Sequence, residues 1–198
     1  MKMQHRLLAV LAVVWLMWAP GTVAFGQDQQ VRWDLISVAF TTPLTVRAGG
    51  FADAIAPNNG GRIRLTGSGT FVASADQGRG ANAVTGGGTW ETFDPAGRGT
   101  YVVRELVRFE LASPQTGPII DNIGDPAERA NGYAYLRVDY DDGNQGVLGV
   151  FCHGPGAPDG IAEGINATKG FVTYTEIQGP APGIDANRTI FHVRQEAD

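Results

Sequence analysis

Strict alternation of side-chain type over residues 62–74 is the feature that most constrains the fold of this chain. One set of alternate positions is apolar or small, namely Ile63, Leu65, Gly67, Gly69, Phe71 and Ala73. Successive side chains of a β-strand point to opposite faces, so this period of two indicates a strand with one buried face. The two central glycines predict a bend, a bulge or a close packing point rather than a phosphate loop.

Strand and turn signals recur along the rest of the chain, in which 28 of 198 residues are Gly. The turn Asp94-Pro95-Ala96-Gly97 predicts a hairpin that leads into a second clear strand at 101–111. The acidic turn 141–144 predicts another hairpin, between 133–140 and 147–153. Further strands are predicted at 31–40, 44–48, 170–177 and 188–194.

About nine strands without a sustained helical period predict an all-β, antiparallel domain. We expect a β-barrel of about eight to nine strands, because a long strand with central glycines suits the coiling that closure requires. A β-sandwich is the alternative. Three long Pro/Gly-rich loops are expected at 112–130, 154–168 and 178–187, with one helical turn at 161–165 in the second.

The first 26 residues have the order of a secretory signal peptide. Lys2 and Arg6 precede an apolar run over 7–18, and Ala24-Phe25-Gly26 offers a cleavage site. The run is shorter than the roughly 20 residues that a membrane span needs, so cleavage is favoured over a retained anchor. We therefore expect one barrel domain over 27–198 that is secreted or periplasmic. Scarce Lys beside abundant Gly, Ala and Arg indicates a bacterial source.

Charge and composition exclude several function classes. The chain carries 15 basic and 20 acidic residues and has no basic block, which argues against nucleic-acid partners. A single cysteine permits no internal disulfide, and too few His and Cys residues follow the leader for a structural zinc site. Acidic residues near Gly143 lack the spacing of a calcium loop and indicate a hairpin turn. No cofactor motif occurs, so no metal or cofactor is predicted.

Glu105 is the most informative candidate residue. It falls between Val103 and Val107 on the apolar face of the strand at 101–111. If that face lines a cavity, Val103, Glu105, Val107 and Phe109 are candidate ligand-binding residues, and Glu105 is a candidate acid or base. The alternatives are a β-bulge that reverses the register at this point, or a Glu near the barrel mouth that pairs with an Arg.

Cys152 and His153 are adjacent in sequence, but neighbours on a strand face opposite ways and cannot form a dyad. Cys152 is expected to be a buried, inert thiol. His153 shares a face with Phe151 beside a Gly-Pro-Gly loop, so both are candidate ligand-binding residues at a cavity mouth. His153 is also a weak catalytic candidate.

Three functions remain open from the sequence. The leading hypothesis is an exported barrel that binds a small apolar or amphipathic molecule. The second is a barrel enzyme, such as an isomerase, cyclase or hydrolase, that uses one carboxylate. The third is a cell-surface structural or interaction module that pairs through an edge strand. The oligomeric state stays open, and no stable membrane insertion is expected after cleavage of the leader.

Overall fold

The computed structural model describes residues 29–73 and 84–195, so the signal-peptide prediction for 1–26 lies outside the described residues. Within the described part, strands dominate, and the helical element is one 3₁₀ turn, Pro126–Glu128. The strands are β1 (Gln29–Ala39), β2 (Leu44–Ala48), β3 (Phe51–Ile55), β4 (Arg62–Thr66), β5 (Ser68–Ala73), β6 (Thr85–Phe93), β7 (Ala96–Pro114), β8 (Ile119–Asp121), β9 (Arg129–Tyr140), β10 (Gln145–Cys152), β11 (Gly164–Lys169), β12 (Val172–Tyr174), β13 (Glu176–Ile177) and β14 (Thr189–Gln195).

β4 and β5 together form the strand that the alternating sequence predicts. Both pair antiparallel with β6 in one continuous register, since Ile63 lies opposite Thr92 and Ser68 lies opposite Gly87. Gly67 separates them with a φ of +153°, and a Cβ at this position would lie 2.3 Å from the Tyr101 hydroxyl oxygen. Of the predicted alternatives, the close packing point is confirmed.

Antiparallel strands close into a barrel, as the sequence predicts, but the closed ring has six strands rather than about eight to nine, and the others lie outside it. β5 pairs with β6, β6 with β7 and β7 with β9. β14 then joins β9 to β1, and β1 pairs with β5 to complete the ring. Closure removes the exposed edges that an open sheet would present along these strands.

The barrel wall extends beyond the six-stranded ring because two of its strands pair with one neighbour over part of their length and with a different neighbour over the rest. β9 pairs with β14 at its start and with β10 over most of its remaining length. On the opposite side of the wall, β3 takes over from β1 as the partner of the 62–73 strand. The short strands β12 and β13 follow each other in the chain, and they pair with β11 and β3 respectively.

Large apolar side chains fill the interior. Trp33, Leu35, Phe71 and Phe191 are each fully excluded from solvent. Burial of each large apolar side chain stabilises the fold by about 1.5–3 kcal/mol. The barrel is therefore held by a packed core, which agrees with a chain that has one buried free cysteine and no disulfide.

A small accessory sheet lies outside the ring. The second half of β1 leaves the wall and pairs with β2, which in turn pairs in parallel with β8. β2 has the bounds that the sequence predicts, whereas β8 lies inside a segment predicted to be a loop. A second apolar cluster joins this sheet to β14, and it consists of Ile36, Val38, Val46 and Ile190.

The sequence prediction places one strand wrongly. It expects a strand at 170–177, whereas the structure has β11 at Gly164–Lys169, a turn, and then the short pieces β12 and β13. No helical turn occurs at 161–165. β11 does alternate, with Ile165 and Ala167 buried and Asn166 and Thr168 less so, but the strand has only six residues and begins at a glycine, so its pattern is too short to stand out. β3 was also not predicted.

Candidate functional site

The alternate residues of β7 that suggested a cavity do not all lie on the same face of the strand. The pairing of β7 with β9 shifts register between Val103 and Glu105, and again between Leu106 and Arg108. Each bulge adds one residue and turns the following side chains to the other face. Val103 is buried in the core, whereas Val107 is 44% exposed.

Glu105 pairs with an arginine on the outside of the barrel. Its Oε2 atom accepts a hydrogen bond from Arg137 Nε at 2.9 Å, and the Glu105 side chain is 45% exposed. This geometry agrees with the bulge and the Arg partner that the sequence left open as alternatives. The structure therefore does not bring Glu105 together with Val103 around a cavity.

Phe109 and Phe151 lie in two different aromatic clusters. Phe109 packs edge-on against Phe71 and Phe191, with ring centres 5.3 and 5.5 Å apart. Phe151 contacts Tyr133 and Tyr135 on the face of β10 opposite to buried Cys152. Neither phenylalanine lies with His153 at a shared site.

His153 lines a pocket of about 140 Å³ at the place where β1 leaves the barrel wall. The pocket lies between the accessory sheet and the residues that follow β7 and β10 and precede β14. Its apolar wall consists of Ile36, Val38, Leu44, Val46, Ile119 and Ile190. Its polar and loop residues are Gln115, His153, Gly154, Pro155, Glu163, Arg188 and Thr189.

Glu163 supplies a partly buried carboxyl group to this pocket. Its Oε1 atom accepts a hydrogen bond from the backbone N–H of Thr189 at 2.6 Å, and its Oε2 atom accepts one from the N–H of His153. Burial raises the pKa of Glu163 to about 7, against the effect of these hydrogen bonds and of the Arg188 charge. The carboxyl group therefore exists in both protonation states near neutral pH.

His153 and Arg188 stand beside this carboxyl group. His153 Nδ1 lies 2.7 Å from the carbonyl oxygen of Ile161, so Nδ1 carries the proton and donates it. Nε2 is then the ring nitrogen that is left for a further contact. Arg188 donates from Nη2 to the Ala181 carbonyl oxygen at 3.2 Å, and its guanidinium carbon lies 5.1 Å from the ring centre of Phe40.

Buried hydrogen bonds hold the loop that carries His153. Asn131 is fully buried, and its Oδ1 accepts from the N–H of Gly154 at 2.7 Å. Gln115 donates to the Cys152 sulfur at 3.0 Å, and a Cβ at Gly154 would lie 2.6 Å from the same amide nitrogen. Burial raises the pKa of the Cys152 thiol, so this cysteine is an inert packing group, as the sequence suggested.

Two of the three ionisable residues in this pocket are not predicted from the sequence. The sequence places Glu163 in a helical turn within a loop, and Arg188 at the start of the last predicted strand, 188–194. The one signal available for Glu163 is an acidic residue between Ile161 and Ile165, in an otherwise neutral stretch. No local sequence pattern indicates that Arg188 lines a pocket, because this depends on the packing of the accessory sheet beside the start of β14.

A second pocket, of about 290 Å³, lies on the outer face of β1 and β14. Both arginines that line it already pair with carboxylates, Arg32 with Asp34 at 2.7 Å and Arg194 with Glu128 at 2.8 Å. Among the described residues, no three His, Cys, Asp or Glu side chains gather closely enough to hold a metal ion. Nor does that part of the chain contain a helix long and apolar enough to cross a membrane.

Comparison with protein-family models, curated proteins and solved structures finds no match for this chain. Its function must therefore be inferred from the site itself.

Proposed function

We propose that this protein binds a small amphipathic molecule in the pocket formed by the accessory sheet, His153, Glu163 and Arg188. The observation that carries the proposal is the division of this pocket into an aliphatic wall and a polar end with three ionisable side chains. Ligand sites in proteins combine apolar lining with a few polar groups in this way. Export to the periplasm or the outside is part of the proposal, and rests on the leader predicted at 1–26.

The size of the pocket limits its ligand. A volume of about 140 Å³ lies below the usual range of drug-sized sites, so the occupant is a small molecule or the end of a longer one. The apolar wall would take the hydrocarbon part, and the polar end would fix its orientation. Asn131 and Glu163 accept hydrogen bonds from backbone N–H groups and hold the polar end in place, which reduces the entropy lost on binding.

Native mass spectrometry of residues 27–198, purified from a bacterial periplasm, tests the proposal. A bound molecule appears as extra mass that is lost on denaturation, and it can then be identified. The variant Leu44→Trp would fill the pocket mouth, because Leu44 is 39% exposed and lines it. We expect this variant to lose the extra mass while it keeps the fold.

Val107→Trp is the matched control. Val107 is 44% exposed, but it lies on the outer surface of β7 and away from this pocket. This control should retain the ligand. Loss of the ligand from the Val107 variant, with retention by the Leu44 variant, would contradict the proposed site. If the wild-type protein neither retains a ligand during purification nor binds one that is added, the proposed function is wrong.

Glu163 favours a second candidate function, an enzyme that uses this carboxyl group as acid or base. A pocket carboxyl group with a pKa of about 7 can exchange protons at neutral pH. The test compares molecules extracted from the wild-type protein and from Glu163→Gln. An enzyme would hold product in the first and substrate in the second, whereas identical molecules would favour a binding protein.

A further inference from the structure

We propose that the head group of the ligand is a carboxylate bound by Arg188, so that the ligands are small aliphatic carboxylic acids. This inference rests on the proposed function of the pocket, and it adds the chemical class of the ligand. Charge complementarity at the polar end supports it, together with the aliphatic character of the opposite wall.

Arg188 differs from most arginines of the described chain in its partners. Arg32, Arg64 and Arg194, for example, each contact a carboxylate oxygen at 2.7–2.8 Å. Across residues 29–73 and 84–195, by contrast, no carboxylate oxygen lies within 4.0 Å of the Arg188 guanidinium. A partly buried cation without an anion is a site where a ligand anion gains a charge-assisted hydrogen bond.

The unpaired Nε atom of Arg188 shows that protein acceptors do not saturate this guanidinium. It is excluded from solvent and has no hydrogen-bond partner among the described residues. A buried N–H without an acceptor costs about 1–3 kcal/mol, and native proteins rarely leave such groups unpaired. Because Nη2 is engaged by Ala181 and Nε has no accessible surface, Nη1 is the donor that remains for a ligand oxygen.

The nearby Glu163 does not prevent an anion from binding. Its two oxygens already accept the backbone N–H groups of His153 and Thr189. Burial raises its pKa to about 7, and a bound anion would raise this pKa further. The other ionisable groups around this carboxyl are His153, Arg188 and the protonated thiol of Cys152, none of which adds a negative charge at neutral pH.

Calorimetric titration with hexanoate, hexanamide and hexan-1-ol at about pH 6, where Glu163 is mostly protonated, tests the inference. We expect hexanoate to bind at least tenfold more tightly than hexanamide, from the charge-assisted contact. Each methylene from butanoate to hexanoate should improve affinity about fourfold while the wall still covers it. Equal or tighter binding of the amide would overturn the carboxylate assignment and leave the proposed function intact. Failure of all three ligands would overturn both.

Arg188→Met separates the role of Arg188 from general attraction of anions. This variant should weaken hexanoate binding at least tenfold and leave hexanamide binding within about twofold. Arg47→Met is the control, since Arg47 is an exposed residue of β2 that does not line the pocket. Arg188→Lys keeps the charge and covers the case in which Arg188→Met fails to fold, and we expect it to weaken hexanoate about three- to tenfold. Unchanged hexanoate affinity in a folded Arg188 variant, or an equal loss in the Arg47 variant, would overturn the inference.

Discussion

His192 Nε2 lies 2.8 Å from the Oδ2 atom of Asp121, and both side chains are almost completely excluded from solvent. The imidazole projects from β14 on the outside of the barrel, between Arg32 of β1 and Arg129 of β9. Asp121 ends β8, so this contact fastens the segment 117–128 to the barrel wall. That segment carries Ile119 into the candidate pocket.

Asp121→Ala should destabilise the protein. The change leaves the His192 imidazole buried without its acceptor, and it removes the acceptor of the Ile123 N–H. Loss of one partner from a buried polar pair costs about 3 kcal/mol. Urea unfolding measures this cost. Asp139→Ala is the control, because its pair with Arg104 is exposed to solvent and should cost less than about 1 kcal/mol. Equal effects of the two changes would contradict the fastening role of Asp121.

Gly124→Ala should displace the His192 ring. A Cβ at position 124 would lie 2.5 Å from Cδ2 of the imidazole, closer than real side-chain atoms approach. The crowding should lower stability by about 1–3 kcal/mol and increase hydrogen exchange at the amides of the segment 117–128. Gly179→Ala has open space around it and should change stability by less than about 0.5 kcal/mol. Normal exchange in the first variant would show that the contact does not hold the segment.

The stability of the protein should fall as pH rises through the range where Glu163 ionises. Its folded pKa, about 7, lies above its ordinary value of 4.5, so the folded state binds the proton more tightly. The resulting stabilisation is complete below about pH 4.5 and is lost as pH rises through 7, an effect of about 2–3 kcal/mol. Urea unfolding of wild type and Glu163→Gln at several pH values measures it. A similar fall in the Gln variant would assign the effect to other groups.

The phenol of Tyr101 should resist ionisation in the folded protein. Its hydroxyl donates to the Thr66 carbonyl oxygen at 2.9 Å, and burial raises its pKa well above the ordinary value of 10.0. Tyrosinate absorbance at about pH 11 should therefore be the same in native wild-type protein and in native Tyr101→Phe. After unfolding, the wild type should show one additional ionised tyrosine. An extra native signal from the wild type at that pH would contradict the burial of Tyr101.

Local sequence patterns predict much of the barrel because they depend on neighbouring residues. The alternation at 62–74 gives the strand and its close packing point at Gly67, and the turns at 94–97 and 141–144 give two hairpins. The prediction fails where the partner strand decides the outcome. The bulges in β7 arise from its pairing with β9, and they turn Glu105 toward Arg137 rather than into a cavity.

The candidate site, too, was predicted only where the local sequence determines the structure. The sequence suggests His153 because it ends a strand beside a glycine-rich loop, and His153 does line a pocket. Glu163 and Arg188 were missed because neither has a local pattern around it. Their position depends on the ends of β10 and β14 meeting the accessory sheet, a contact between residues far apart in the chain.

The sequence by itself determined the all-β class, the preference for a barrel and the main hairpins, because strand periodicity and turn chemistry act over a few residues. Tertiary structure decided which of two glutamates loses contact with water at its carboxyl group. Glu105 and Glu163 are the same residue type, yet one forms an exposed ion pair and the other a buried acceptor with a pKa of about 7. The difference arises from desolvation, which depends on the atoms that distant parts of the chain bring around each group.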